Sequence, residues 1–126
     1  MSEKRVISET GGEKGTKPSQ LAWLPPDAML ALGEVAGHGS EKYTPHNFRL
    51  GYNFSLSLNA LYRHALAFQG GEDLDPDSGL PHMAHAAWHA LNLVQSQKDY
   101  GIRFDDRWSW LDHVRLTKEE GPNETC

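Results

Sequence analysis

The chain has a single cysteine in 126 residues, Cys126, so no disulfide can close within it and nothing in it calls for an oxidising compartment. Long apolar runs are also missing. None approaches the roughly 20 residues needed to span a bilayer, and Met1-Ser2-Glu3-Lys4-Arg5 lacks the apolar centre of a signal peptide. A cytoplasmic protein that neither crosses nor anchors to a membrane is expected. Positive charge is scarce: 12 Lys and Arg face 17 Asp and Glu, for a net charge of -5. A protein that wraps polymeric nucleic acid needs a basic face to neutralise phosphates, so that class is excluded. A small phosphorylated ligand held through a metal is not. Strand-period alternation of useful length is absent, which predicts an all-α fold.

What is present is helical patterning around one chemically dense segment. Residues 1–20 are polar and glycine-containing, with too little apolar surface to offset their ordering entropy, and read as a flexible arm. Within the arm, Gly12-Glu13-Lys14-Gly15-Thr16-Lys17-Pro18 reads as a leader or as a loop folding over phosphates, with Lys14 and Lys17 as its charges. One domain is expected over residues 21–116, followed by a disordered polar tail over 117–126. Pro25-Pro26-Asp27 predicts a helix start near residue 26, because proline loses nothing in the first turn and the acid meets the positive end of the macrodipole. That helix runs toward Tyr43 and is ended by Pro45. Ser55 and Ser57 are candidate caps for a second helix carrying Leu56, Leu58, Leu61, Leu66 and Phe68, with Gly70-Gly71 as its stop. A third helix runs from near Pro81 through Gln97. Trp108 to Leu116 reads as a short fourth helix or an irregular packing element, giving a small bundle of about four helices.

Four of the seven histidines and four acids fall between Arg63 and His89. On a helix His82, His85 and His89 lie within a sector of roughly 60°, set apart from an apolar side of Met83, Ala87, Ala90, Leu91 and Val94. Neutral imidazole binds metals, shuttles protons or bonds phosphate. One such histidine is ordinarily an interface or solvent residue; three beside acids point to function. Glu72 and Asp75 are the carboxylates a hard divalent ion prefers, and such ions bridge carboxylates to substrate phosphates. On the first helix Glu34, His38 and Glu41 share a face. Glu34 is the stronger metal candidate there, since Glu41 beside Lys42 suits a solvated surface equally well. Arg63 offers a guanidinium for phosphate oxygens, with His64 beside it.

Leu24-Pro25-Pro26, Gly39-Ser40-Glu41-Lys42-Tyr43, His46-Asn47-Phe48, Arg63-His64, Gly71-Glu72-Asp73-Leu74-Asp75-Pro76 and Ser78-Gly79-Leu80-Pro81-His82 with His85 and His89 occur in an order that resembles the phage and bacterial dATP/dGTP diphosphohydrolase family, a MazG-like relative of the all-α nucleoside triphosphate pyrophosphohydrolases. The resemblance covers about residues 11–107. It implies hydrolysis of a purine deoxynucleoside triphosphate, dGTP or dATP, to the monophosphate and pyrophosphate, with Mg²⁺ or Mn²⁺ required. It also implies a homodimer or homotetramer, an expectation strengthened by Trp88, Trp108 and Trp110, which are large for a monomer's surface. If the chain is phage-encoded, its compartment is the host cytoplasm. The wider MazG-like group uses an E-x-x-E helix and an E-x-x-D helix for metal. Here Glu72-x-x-Asp75 matches the second only in letters, because Pro76 places it in a loop, and the first helix has no E-x-x-E.

The resulting assignment gives Glu34, Glu72, Asp75 and His82 to metal. Lys42, Arg63, His64, His85 and His89 carry phosphate charge or move the proton of an attacking water, and Lys17, Tyr43, Asn47, Phe48 and Tyr52 contact substrate. Two other readings remain open: a His- and Asp-based metal phosphohydrolase that releases triphosphate or phosphate, and a non-catalytic helical adaptor whose histidine stripe meets a partner.

Overall fold

A computed structural model describes residues 3–108, so the expected fourth helix beyond Trp108 and the tail over 117–126 lie outside the described residues. Among the described residues the fold is mostly helical, with three α-helices and a small β-hairpin. The chain divides into two units, Met1–Leu30 and Ala31–Cys126.

The hairpin corrects the all-α expectation and the reading of residues 1–20 as an arm without structure of its own. Strand β1, Lys4–Ile7, pairs antiparallel with β2, Glu13–Thr16, in the register Lys4 to Thr16 and Val6 to Lys14. The turn is closed by Ser8 N donating to Gly12 O at 2.8 Å and Gly11 N to Ser8 O at 3.0 Å, and Gly11 adopts φ 90°. The strands are four residues long and nearly all exposed, so neither face is buried and no alternation marks them in the sequence. Main-chain pairing and turn chemistry carry the hairpin, with ion pairs Arg5–Glu13 at 3.9 Å and Lys17–Glu3 at 3.7 Å on its surface.

Helix α1 spans Pro26–Lys42, with Asp27 in its first turn and Lys42 in its last, both suited to the macrodipole. Helix α2 spans Phe54–Gln69 and α3 spans His82–Tyr100, and these two pack against each other. The stop at Gly70-Gly71 is as expected: Gly70 N donates to Leu66 O, Gly71 N to Phe68 O, and Gly71 takes φ 101°. The start of α2 differs. Its serines do not cap it; instead Phe54 N donates to Phe104 O at 2.9 Å, and the Asp106 carboxylate accepts from both the main-chain N–H, at 2.9 Å, and the hydroxyl of Ser55. An acid 51 residues downstream thus satisfies one of the orphan main-chain donors of this helix end.

The α2–α3 seam takes in the histidine side of α3 and leaves much of its apolar side outside. His82, His85, Asn92 and the fully buried Ser57 are interior, whereas Met83, Leu91 and Val94 are exposed. Buried apolar side chains in the described residues are few: Val35, Phe54, Ala60 and Ala86. The polar interior is tolerated because its groups bond one another. Ser57 Oγ lies 2.7 Å from Tyr52 Oη and 3.0 Å from His89 Nδ1, and Asn92 Nδ2 donates to Tyr52 Oη at 2.9 Å.

Candidate metal and nucleotide site

The acidic segment between α2 and α3 folds back on itself. Asp75 N donates to Leu80 O at 2.8 Å, Gly79 N to Asp75 O at 2.7 Å, and His82 N to Asp73 O at 2.9 Å. Gly79 at φ 73° permits this tight return. Asp75 is thereby carried toward the inward faces of the helices, where His64 of α2 and His85 of α3 meet it. Each of the three offers a ligand atom, and these atoms lie within 4.8 Å of one another. His85 Nε2 is 3.5 Å from Asp75 Oδ2. The Ser78 hydroxyl lies 2.7 Å from His85 Nε2 and 3.3 Å from Asp75 Oδ2, and it accepts from Leu80 N at 3.1 Å. The imidazoles of His64 and His85 stack with centroids 4.5 Å apart and planes 7° from parallel.

Protonation favours ligation. Burial holds the His64 and His85 imidazoles below their ordinary range, and each neighbouring imidazole adds to the effect. Burial alone would raise the Asp75 carboxyl, but the Asp77 N–H, His85, the Ser78 hydroxyl and His64 together draw it below the usual range. Two neutral nitrogens and an anionic oxygen therefore face one another at neutral pH, a cluster capable of holding a divalent metal. The mixed donor set of two imidazoles and one carboxylate differs from the carboxylate-dominated one expected from the sequence.

The cluster forms part of the wall of a cavity of about 610 Å³, within the range of small-molecule sites. Lys42 and Arg63 line it and bring positive charge. Tyr43, Asn47, Phe48 and Tyr52 line it as well, so these four candidate substrate contacts come together. His89 completes this part of the wall, and burial, followed by the fields of His64 and His85, pushes its imidazole down to about 4. Burial raises the Tyr52 phenol against the opposing bonds from Ser57 and Asn92.

Other candidates lie elsewhere. Glu34 is exposed on α1 and outside the cavity lining. Glu72 and His82 stand behind His64: Glu72 Oε1 is 2.7 Å from His82 Nε2, and His82 Nδ1 is 2.9 Å from His64 Nδ1. Lys17 lies just after β2 and pairs with Glu3. Several lining residues received no role from the sequence. His38 of α1 meets His85 edge-on at 6.2 Å, and its helical spacing from Glu34 was its only signal. Trp88, whose size suggested an oligomer surface, is half-buried against Phe48 at 5.4 Å. Ser57 and Ser78 gave no usable signal, since serine near a helix start or in a loop reads as a cap or a turn.

The profile for the family described as "dATP/dGTP diphosphohydrolase, N-terminal" matches residues 8–107. The chain belongs to this family. Among curated proteins it is similar to a dATP/dGTP diphosphohydrolase of Salmonella phage PMBT28, 29% identical over 97 residues. That alignment takes in 77% of this chain and 32% of the relative, so the chain spans about a third of the relative's length. No solved structure matches. The family match ends at residue 107, just past the Asp106 that holds the start of α2, and it contains all of His64, Asp75 and His85. The family and the cluster together point to a hydrolase.

Proposed function

We propose that the chain hydrolyses a purine deoxynucleoside triphosphate, dGTP or dATP, between the α and β phosphates, giving the monophosphate and pyrophosphate. The observation that carries this reading is the His64–Asp75–His85 cluster set in the wall of a cavity that also holds Lys42 and Arg63. A divalent cation, Mn²⁺ or Mg²⁺, held by those three side chains would offset phosphate charge and make water more acidic. Arg63 would engage phosphate oxygens through its planar fork and Lys42 through its ammonium. His89, bonded at Nδ1 to Ser57, keeps Nε2 for the cavity, where it would orient the attacking water and receive its proton. Phe48 and Trp88 would stack against the base, and Asn47 would read its edge.

Support for substrate class comes from the family and from the name of the phage relative. A panel of deoxy- and ribonucleoside triphosphates, assayed for pyrophosphate with Mn²⁺ and with Mg²⁺, tests the reading. Pyrophosphate and a purine dNMP are the expected products, and Asp75→Asn and His85→Ala should lose activity with the fold retained. The two-histidine, one-aspartate donor set also favours a second reading, release of inorganic triphosphate with the nucleoside. The same product analysis separates the two. Absence of turnover on every nucleotide, with metal bound, would favour a non-catalytic adaptor.

We also propose that the chain assembles as a homodimer or homotetramer through the exposed apolar stripe of α3. Lys17 and Glu34 have no part in the cleavage proposed here.

A further inference from the structure

Behind the metal cluster, Glu72, His82 and His64 form a chain of two short hydrogen bonds whose proton positions can be worked out from the chemistry of its two ends. We propose that Glu72 and His82 act as positioning residues, fixing His64 as the tautomer that carries its proton on Nδ1 and presents the Nε2 lone pair to the metal. The inference rests on the metal reading above and extends it to two side chains outside the cavity wall.

A carboxylate accepts hydrogen bonds and cannot donate. Glu72 Oε1 lies 2.7 Å from His82 Nε2, so that nitrogen carries the proton. A His64 that serves the cluster through Nε2 carries its proton on Nδ1, so His82 Nδ1, 2.9 Å away, is the acceptor. One of those two nitrogens must donate, and with His82 as the acceptor the donor is His64. Its remaining nitrogen, Nε2, is left as the lone pair available to the cluster with Asp75 and His85. The opposite assignment would put a proton on His64 Nε2 and leave no ligand atom on that ring.

The surroundings hold this chain in place. His82 is buried, its main-chain N–H donates to Asp73 O at 2.9 Å, and it begins α3. Glu72 follows Gly71, whose φ of 101° turns the chain back, and its N–H donates to Ala67 O at 3.0 Å. The carboxylate is half exposed while its partner is 6% exposed, so the bond runs from the wet rim inward and the imidazoles relay its direction to the cluster. Partners of this kind commonly change metal affinity by 10- to 100-fold when removed.

The test has two arms on the full chain. In metal-free protein at neutral pH, ¹⁵N-resolved histidine spectra should place the His64 proton on Nδ1 and the His82 proton on Nε2. A wild-type His64 protonated on Nε2 overturns the proposal. In the second arm Mn²⁺ alone is titrated by calorimetry. Glu72→Ala, at a half-exposed position, and His82→Leu should each weaken binding by about tenfold. His82→Asn, whose side-chain oxygen can accept from His64 Nδ1, should stay near wild type. Wild-type affinity in Glu72→Ala overturns the positioning role while leaving the metal reading intact. Wild-type affinity in Asp75→Ala overturns the metal reading and with it the ligand assignment of His64, whatever the tautomer spectra show.

Discussion

The Asp75 carboxylate is held by the Asp77 N–H, the Ser78 hydroxyl and the His85 imidazole, and a side chain fixed by that many partners suits a ligand better than a mobile base. Asp75→Asn keeps the size and removes the charge. Metal-dependent activity should fall by at least about 100-fold, with near-native circular dichroism, because the cluster loses its only anionic donor. The histidines make a prediction about pH. His64, His85 and His89 all have folded-state values below that of an unfolded chain, about 6.5, and His89 lies near 4. Such groups favour the folded state fully above 6.5, and that advantage is lost as the pH falls toward 4, because the unfolded chain takes up protons first. Thermal denaturation followed from pH 7.5 to pH 4 should show falling stability, with a shallower fall in His89→Gln. At this scale the sequence singled out residues whose chemistry is intrinsic to their type, Asp75 for metal and His64, His85, Arg63 and Lys42 for phosphate or proton transfer, whereas the cluster groups His64 and His85 with Asp75. The sequence was least legible for Ser57 and Ser78, whose importance comes from what tertiary packing places beside them.

Helix placement followed from the punctuation of the chain: Pro26 opens α1 and Gly70-Gly71 closes α2. What surface patterning concealed was orientation. Periodicity showed that α3 has a histidine side and an apolar side, but only the partner helix decides which side turns inward, and α2 met the polar side through Ser57 and His64. The hairpin stayed hidden for a related reason, since strands without a buried face carry no period. Gly51 offers a test of the segment joining α1 to α2. Its φ of 85° with ψ of 147° is a conformation reserved for glycine, and an added Cβ would lie 2.2 Å from the Phe104 ring. Gly51→Ala should therefore cost about 2 kcal/mol, read from the midpoint of urea unfolding, and should also disturb the Phe104 carbonyl that receives Phe54 N.

At the scale of the whole molecule, the described residues combine a polar seam with few buried apolar groups, an unusual balance. Met83, Ala87, Leu91 and Val94 follow one another at helical spacing along the exposed side of α3, with Leu91 at 56% and Val94 at 66% exposure. Scattered exposed leucines are ordinary, but a stripe of this length is the pattern of a helix awaiting a partner. Light scattering at micromolar concentration should give a mass at least twice the 14.1 kDa of one chain, and Leu91→Glu with Val94→Glu should return it to the monomer. A monomeric wild type would refute the assembly proposed here. Among the described residues no helix is long and apolar enough to cross a membrane.

The contact between Asp106 and the first turn of α2 has a practical meaning for anyone dividing this chain into parts. A cut made at the visible end of α3, after Tyr100, would look natural on a diagram of helices. It would remove the latch on the helix that carries Arg63 and His64, freeing the Ser55 amide and hydroxyl and leaving Phe54 N without its acceptor. The smallest working piece should therefore extend at least through residue 107, and Phe104 and Asp106 support a site whose cavity lining does not include them.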